Sequence, residues 1–159
     1  MSLTDHLPPT STRVERSSDP GLNAQVRART DAEVARLEGA DPAQAAEKLQ
    51  RLDREWDIER TLQANAATLA LAGTVLGARV DRRFLALPVV VFSFFAQHAL
   101  QGWCPPIPVF RRLNVRTARE IERERYAIKA LRGDFDEVPS PGVIDAASRV
   151  RAALAAVDA

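Results

Sequence analysis

The chain contains very little cysteine, histidine or net charge. Its 159 residues include one cysteine, Cys104, and two histidines, His6 and His98. A single cysteine excludes an internal disulfide, and so few soft ligands exclude most zinc sites. Lysine and arginine number 22 against 21 acidic residues, so the net charge is only +1. This balance gives no electrostatic case for binding nucleic acid, and we expect no metal, cofactor or nucleic-acid partner.

Motifs for catalysis and for export are also missing. The sequence has no phosphate-binding loop, nucleophile elbow or paired-carboxylate motif, so it offers no catalytic residue. Residues 1–23 are rich in proline, serine, threonine and charge and lack the apolar centre of a signal peptide. Such a composition cannot bury enough apolar surface to offset the entropy of ordering. We therefore expect residues 1–23 to form a disordered tail.

Charge itself is absent from two long stretches. Residues 61–78 and 84–110 contain no charged side chain, whereas charges recur every few residues elsewhere. A short basic turn centred on Asp81 separates the two stretches. Strand-like alternation is absent throughout, so the sequence predicts an all-α protein with two apolar helices joined by this turn.

Capping signals divide the chain into regions. Asp41-Pro42 opens a helix, and Thr117 with Glu120 has the spacing of a capping box. Nothing interrupts the helical pattern between Pro42 and Gly77, so one continuous helix is expected there. The predicted regions are a disordered tail at 1–23, a helical arm at 24–60 that continues into the membrane segment, a two-helix membrane hairpin at 61–117, and cytoplasmic helices at 118–159 with a linker near 134–142.

The two apolar stretches have the layout of a transmembrane helical hairpin. The alternative is a soluble helical module whose central hairpin is buried. Neither stretch shows the charged stripe that a core helix carries where it meets water, and Trp56 and Trp103 bracket the pair as interfacial tryptophans do. The sequence thus favours an all-α protein with a transmembrane hairpin, amphipathic cytoplasmic helices on both sides, and the lipid bilayer as partner.

The distribution of basic residues predicts the orientation of the hairpin. Three arginines lie in the turn, at positions 79, 82 and 83. Eight basic residues flank the other ends of the hairpin: Lys48, Arg51, Arg54, Arg60, Arg111, Arg112, Arg116 and Arg119. Because cytoplasmic loops carry the excess of lysine and arginine, both termini are expected in the cytoplasm.

Polar residues inside the apolar stretches need partners in lipid. Ser93, Gln97 and Gln101 recur every four residues and share one helix face. Asn65 and Gln97 are equally distant from Asp81, so they are predicted to lie at similar depth and to form a hydrogen bond. The alternative is that either amide faces a second protomer or water.

Gly73 and Gly77 form a G-x-x-x-G motif in the first apolar helix. Such spacing lets another helix approach closely. The approaching helix belongs either to a second copy, giving a homo-oligomer, or to the same hairpin.

His98 and Cys104 lie near the end of the second apolar helix. No third local ligand accompanies them, so we interpret His98 as a hydrogen-bonded interior histidine. Cys104 follows a helix C-terminus, a position that disfavours a thiolate. We therefore interpret it as a packing residue, with a reactive thiol as the alternative.

The segment "GWCPPIPVFRRLNVRT" resembles the signature of the YgaP-like transmembrane domain family. This is a bacterial inner-membrane family of unknown function. The residues that match its motif are Gly102, Cys104, Pro105, Leu113 and Thr117. Asn114 stands where the family has glycine, which asparagine can replace at positive φ. The resemblance implies a hairpin in the bacterial inner membrane but no activity, and the sulfurtransferase domain of some members is missing here.

Together these patterns predict a small integral inner-membrane protein, not an enzyme, that acts as a membrane anchor or scaffold and forms oligomers. One alternative is a thiol-dependent membrane protein in sulfur or redox handling that uses Cys104. The other is a soluble helical interaction module.

Overall fold

The computed structural model describes residues 7–158, and this part of the chain is helical without strands. The all-α prediction is therefore confirmed for these residues. The helices are α1 (Arg13–Arg16), α2 (Pro20–Leu37), α3 (Pro42–Arg54), α4 (Ile58–Arg79), α5 (Ala86–Gln101), α6 (Ile107–Arg112), α7 (Ala118–Arg132) and α8 (Ala146–Asp158), with a 3₁₀ turn at Arg82–Leu85.

The chain forms two compact units. Of the described residues, the hairpin unit comprises 7–29 together with Trp56–Ile121, and the arm unit comprises Thr30–Glu55 together with 122–158. Helices α2 and α7 each begin in the hairpin unit and end in the arm unit.

The predicted continuous helix between the arm and the hairpin is wrong, because the chain breaks between α3 and α4. Asp57 caps α4, its Oδ1 accepting a hydrogen bond of 2.7 Å from the backbone N–H of Arg60. The backbone N–H of Ile58, the first residue of α4, has no partner within the helix and donates to the carbonyl of Arg116 at 2.8 Å. A cap and a long-range partner for the first free N–H group make this helix start stable.

The predicted disordered tail is also wrong where the structure describes it. Positions 1–6 lie outside the described residues, but the following part contains α1 and the start of α2. Val14 is buried in an apolar cluster with Ile58 and Leu62, and Arg13 donates a hydrogen bond of 2.7 Å to Glu59. Ser17 also donates a hydrogen bond of 2.9 Å to the carbonyl of Gln101. Such long-range contacts fix a segment whose composition alone predicts disorder.

Helices α4 and α5 form an antiparallel hairpin. The buried face of α4 consists mainly of small residues at helical spacing: Leu62, Ala66, Ala70, Gly73 and Gly77. A Cβ atom on Gly73 would lie 2.7 Å from Cδ of Pro88, and one on Gly77 would lie 2.5 Å from Cδ2 of Leu85. The G-x-x-x-G motif is therefore used inside the hairpin, and α5 covers the face through which the sequence suggests a homo-oligomer.

The outer surface of the hairpin is apolar. The 20-residue stretch Arg82–Gln101 is long and apolar enough to cross a membrane, and only 6% of its most apolar 18 residues are buried. Within residues 7–158 no other helix meets that test, since Gln63 and Asn65 make the first half of α4 more polar. The exposed large apolar residues of the hairpin are Leu69, Leu71, Val75, Leu76, Val80, Phe84, Leu85, Leu87, Val89, Val90, Phe92, Phe94 and Leu100.

The arm unit has a small apolar core supported by ion pairs. Leu49, Leu52 and Ile128 are buried, and Lys48 lies 2.7 Å from the carboxylate of the buried Glu124. The predicted linker near 134–142 falls in the non-helical stretch between α7 and α8.

Candidate functional site

A network of polar and charged side chains lies at the end of the hairpin opposite the turn. We call this end, which contains Arg13, Glu59 and His98, the base. His98 is 1% exposed, and its Nε2 lies 2.8 Å from Oε2 of Glu59. The second carboxylate oxygen, Oε1, accepts a hydrogen bond of 2.7 Å from Nη2 of Arg13. The carboxylate of Glu59 thus connects α4 to α5 and to α1. His98 is thus a buried histidine with one hydrogen-bonding partner.

The carboxyl of Glu59 is held in its charged form. Burial works to raise its pKa, but the hydrogen bond and charge of His98, together with those of Arg13, outweigh burial and lower the pKa below its ordinary value of 4.5. The carboxylate of Glu59 is therefore negatively charged at neutral pH and pairs with the positively charged Arg13.

The base also contains polar atoms that find no partner among the described residues. Nδ1 of His98, Nε of Arg13 and Oγ1 of Thr12 are buried without a hydrogen bond. Nevertheless, no group of histidine, cysteine, aspartate and glutamate within residues 7–158 could hold a metal ion. The arrangement fits a structural ion network better than a metal centre.

Gly102 lies where α1 crosses the end of α5. Its φ of +80° ends α5, and its N–H donates to the carbonyl of His98 at 2.7 Å. A Cβ atom here would lie 2.5 Å from the backbone of Arg13. Both the left-handed backbone and the close approach require glycine at this position.

Cys104 is buried in the apolar cluster beneath the base. It is 5% exposed and belongs to the cluster of Val14, Ile58, Leu62 and Ile107. Burial raises the pKa of its thiol, and no neighbouring charge offsets that effect. A nucleophilic cysteine needs a lowered pKa and access, so this environment suits a packing residue.

A second buried ion pair fixes the segment after α6. Arg111, 1% exposed, donates two hydrogen bonds to the carboxylate of Glu120, at 2.6 and 2.7 Å, and one to Oδ1 of Asn23, at 2.8 Å. Burial works to raise the pKa of Glu120, but the bonds from Arg111 and from Thr117 outweigh burial and lower it. Thr117 and Glu120 also bond each other's backbone N–H groups, which confirms the predicted capping box.

The other residues of the motif lie in turns. Asn114 has a φ of +62°, a left-handed conformation that asparagine tolerates better than most residues. Pro105 is exposed, and Leu113 is 68% exposed without a contact that would explain its place in the motif.

The predicted pair of Asn65 and Gln97 does not form. The side chain of Asn65 is exposed and has no hydrogen bond among the described residues, because Ala66, its neighbour, occupies the buried face of α4. Gln97 bonds Gln101 on its own helix at 3.5 Å, which agrees with their predicted common face. Ser93 donates to the carbonyl of Val89, four residues earlier, at 2.8 Å.

The sequence analysis predicts neither the pair of Arg13 with Glu59 nor the pair of Arg111 with Glu120. A usable signal exists only for Glu59. A histidine inside an uncharged stretch calls for an acidic partner, and Glu59 is the nearest acidic residue before the other apolar stretch. Arg111 resembles every other arginine near the hairpin.

Comparison with known protein families, with curated proteins and with solved structures finds no match for this chain. Its function must therefore be argued from the geometry of the hairpin and its base.

Proposed function

We propose that this chain is a small integral protein of the bacterial inner membrane whose α4–α5 hairpin lies in the bilayer and anchors the arm unit. In this proposal the membrane segments are residues 61–78 and 82–101, the protein is not an enzyme, and it acts as a scaffold that forms oligomers.

The observation that carries the proposal is the exposed apolar surface of the hairpin. Leu71 and Val89, one on each helix, are 66% and 65% exposed. Each large apolar side chain left in water costs about 1.5–3 kcal/mol relative to burial. Soluble monomers rarely expose such contiguous apolar surface, so a hydrocarbon environment is the simplest way to cover it.

The spacing of charged groups along the hairpin supports the same proposal. Helix α4 has 22 residues, which corresponds to about 33 Å, close to the ~30 Å of a hydrocarbon core. At one end lie Glu59 and Arg60, the latter 4.4 Å from the ring centroid of Trp56. At the other end Arg79 and Arg82 are exposed. Both ends thus suit a headgroup region.

The proposal also includes cytoplasmic termini and a relation to the YgaP-like transmembrane domain family. The excess of basic residues at the base supports termini in the cytoplasm. The φ of +80° at Gly102 and of +62° at Asn114 fits the resemblance to the YgaP-like transmembrane domain. The buried thiol of Cys104 supports the anchor over a thiol-dependent activity, and the exposed apolar surface supports it over a soluble module.

Carbonate washing of membranes tests the proposal. The wild-type protein should stay in the membrane pellet, and release of the wild type by the wash would overturn the proposal. Val90→Arg should reduce the inserted fraction, because an arginine at the centre of a span costs about 2.5–3.5 kcal/mol. Leu131→Arg in the arm unit is the matched control, since Leu131 is 49% and Val90 50% exposed. If the hairpin were in water, both substitutions would be equally harmless.

A further inference from the structure

A cavity of about 310 Å³ lies at the base of the hairpin, lined by residues from the junction of α1 with α2 and from α6. Its volume is at the small end of the range of about 300–1,000 Å³ that ligand pockets occupy. Ser17, one of the lining residues, donates a hydrogen bond of 2.9 Å to the carbonyl of Gln101, the last residue of α5. The cavity therefore lies at the level where the second proposed membrane segment ends.

The junction of α1 with α2 gives the cavity hydrogen-bond acceptors. The hydroxyl groups of Ser17 and Ser18 donate to backbone carbonyls at 2.9 and 2.7 Å, so their oxygens can only accept from a ligand. Asp19, the next residue, accepts the N–H of Leu22 through Oδ1 at 3.0 Å, and its carboxylate forms no ion pair within residues 7–158. Three such neighbouring acceptors, one of them charged, match the three N–H groups of a primary ammonium group.

Helix α6 gives the cavity a positive charge that is not neutralised. The side chain of Arg112 is exposed and forms no hydrogen bond or ion pair with the described part of the chain. Its buried neighbour Arg111 is instead bound to Glu120 and Asn23. A free guanidinium group suits a phosphate, because it offers five N–H donors and a fixed charge.

The two charges of the cavity do not neutralise each other. In a cavity of the arm unit, the side chains of Asp31 and Arg123 lie 2.7 Å apart and form a direct ion pair. Asp19 and Arg112 line one cavity in the same way but make no such contact. Both groups are thus available to a ligand that carries a cation and an anion.

We propose that this cavity binds the headgroup of a phospholipid that contains a phosphate and a primary ammonium group, as phosphatidylethanolamine does. The proposal rests on the proposed membrane location, which brings lipid headgroups to the end of α5. In this complex the carboxylate of Asp19 and the two serine hydroxyl groups accept from the ammonium group, and Arg112 donates to the phosphate. Choline has no N–H to donate, and a glycerol headgroup has no positive charge, so lipids with either should bind more weakly.

Native mass spectrometry of the wild-type protein in detergent micelles tests this specificity. The micelles contain equal amounts of phosphatidylethanolamine, phosphatidylcholine and phosphatidylglycerol with the same acyl chains. The ethanolamine lipid should bind about tenfold tighter than either of the others, the factor that one or two charge-assisted hydrogen bonds supply. Equal binding of the three lipids, or a preference for one of the other two, would overturn the proposal.

The role of the carboxylate is tested by a matched pair of substitutions. Asp19→Asn should abolish the preference for the ethanolamine lipid over the choline lipid, because asparagine keeps the helix cap but loses the charge. Asp57→Asn is the control, since Asp57 also caps a helix of the hairpin unit, through the N–H of Arg60 at 2.7 Å, but lies outside the cavity. A preference that survives in Asp19→Asn, or that both variants lose, would contradict the proposed contact.

The role of the arginine is tested in the same way. Arg112→Gln should weaken the binding of all three lipids about three- to tenfold, because each contains a phosphate. Arg119→Gln is the control, since Arg119 is an exposed arginine of α7 in the hairpin unit and lies outside the cavity. Equal effects of the two variants would exclude Arg112 as the phosphate-binding group.

The possible failures remain distinguishable. Glycerophosphoethanolamine carries the same headgroup without acyl chains, and displacement of the lipid by an equal concentration of this compound would overturn a lipid as the ligand. Loss of the lipid preference in a protein that carbonate does not release from membranes would overturn the headgroup site and leave the anchor intact. Release of the wild-type protein by carbonate would overturn the anchor itself.

Discussion

Glu59 and His98 meet across the base of the hairpin, with 2.8 Å between Oε2 and Nε2, although 39 residues separate them in sequence. Their contact joins α4 to α5 at the end opposite the two glycines, of which Gly73 packs on α5 and Gly77 on Leu85 of the 3₁₀ turn. Arg13 adds α1 to the same carboxylate. Small residues at one end and an ion network at the other thus hold the hairpin together.

Replacing Glu59 should weaken the base and change its response to acid. Glu59→Gln removes the carboxylate charge that pairs with Arg13 and contacts His98, and it should cost about 1–3 kcal/mol in the free energy of unfolding in detergent micelles. Glu47→Gln is the control, because the carboxylate of Glu47 is exposed and its one ion pair, with Arg51, is long at 4.0 Å. This substitution should cost less than about 1 kcal/mol.

The acid response follows from the lowered pKa of Glu59. A carboxyl with a lowered pKa in the folded state stabilises the protein above its unfolded-state pKa, and this contribution is lost as the pH falls through the folded-state pKa. Wild-type stability should therefore decrease below the ordinary value of 4.5, and Glu59→Gln should show less of this decrease. An identical pH profile for the two proteins would exclude the network as its source.

Breaking the buried pair of Arg111 and Glu120 should be more costly. Arg111→Met leaves a partly buried carboxylate without its two strongest hydrogen bonds, and we expect a loss of about 3–5 kcal/mol. Arg112→Met, at the exposed neighbouring position, should change the free energy of unfolding by less than about 0.5 kcal/mol. Equal values for the two variants, measured by denaturant titration, would show that the pair adds nothing.

Adding a methyl group at Gly102 should detach α1 from the base. In Gly102→Ala the new Cβ meets the backbone of Arg13 at 2.5 Å, and α1 should lose its protection from hydrogen exchange. Gly142→Ala is the control, because Gly142 has a similar φ of +86° but nothing within 4 Å of the added atom. Both variants share the strain of a side chain at positive φ, so only the close contact distinguishes them. Unchanged protection of α1 in Gly102→Ala would refute that contact.

Cys104 should react slowly with alkylating reagents. Its thiol is buried and its pKa is raised, so little thiolate is available at neutral pH. The comparison is Val80→Cys in a Cys104→Ser background, since Val80 is 70% exposed. Cys104→Ser itself should preserve membrane insertion. Rapid alkylation of Cys104 at about pH 6, faster than at position 80, would favour the thiol-dependent alternative.

Helix caps could be predicted from the sequence, whereas contacts between distant residues could not. Asp41 and Asp81 cap the following turns through their own side chains, and a cap depends only on neighbours within three residues. The order of α1 depends instead on Val14 reaching Ile58 and on Arg13 reaching Glu59. The composition of a segment does not predict contacts between residues that are more than forty positions apart.

The failed pairing of Asn65 and Gln97 has a similar origin. Equal distance from the turn describes depth but says nothing about the direction of a side chain around its helix. The small residues of α4 decide that direction, because Ala66 and Ala70 let α5 approach closely on their face. Asn65 consequently points away from α5, and the same preference for small residues places both motif glycines in the interface.

The central claim is that exposed residues of the hairpin face lipid and not water. Single cysteines at four exposed positions test it directly in a Cys104→Ser background: Leu71 (66% exposed), Val80 (70%), Val89 (65%) and Val150 (57%). In permeabilised membranes, a water-soluble maleimide should label positions 80 and 150 quickly and positions 71 and 89 at least about tenfold more slowly, because a thiol in hydrocarbon does not ionise. Equal labelling of all four positions would contradict the account.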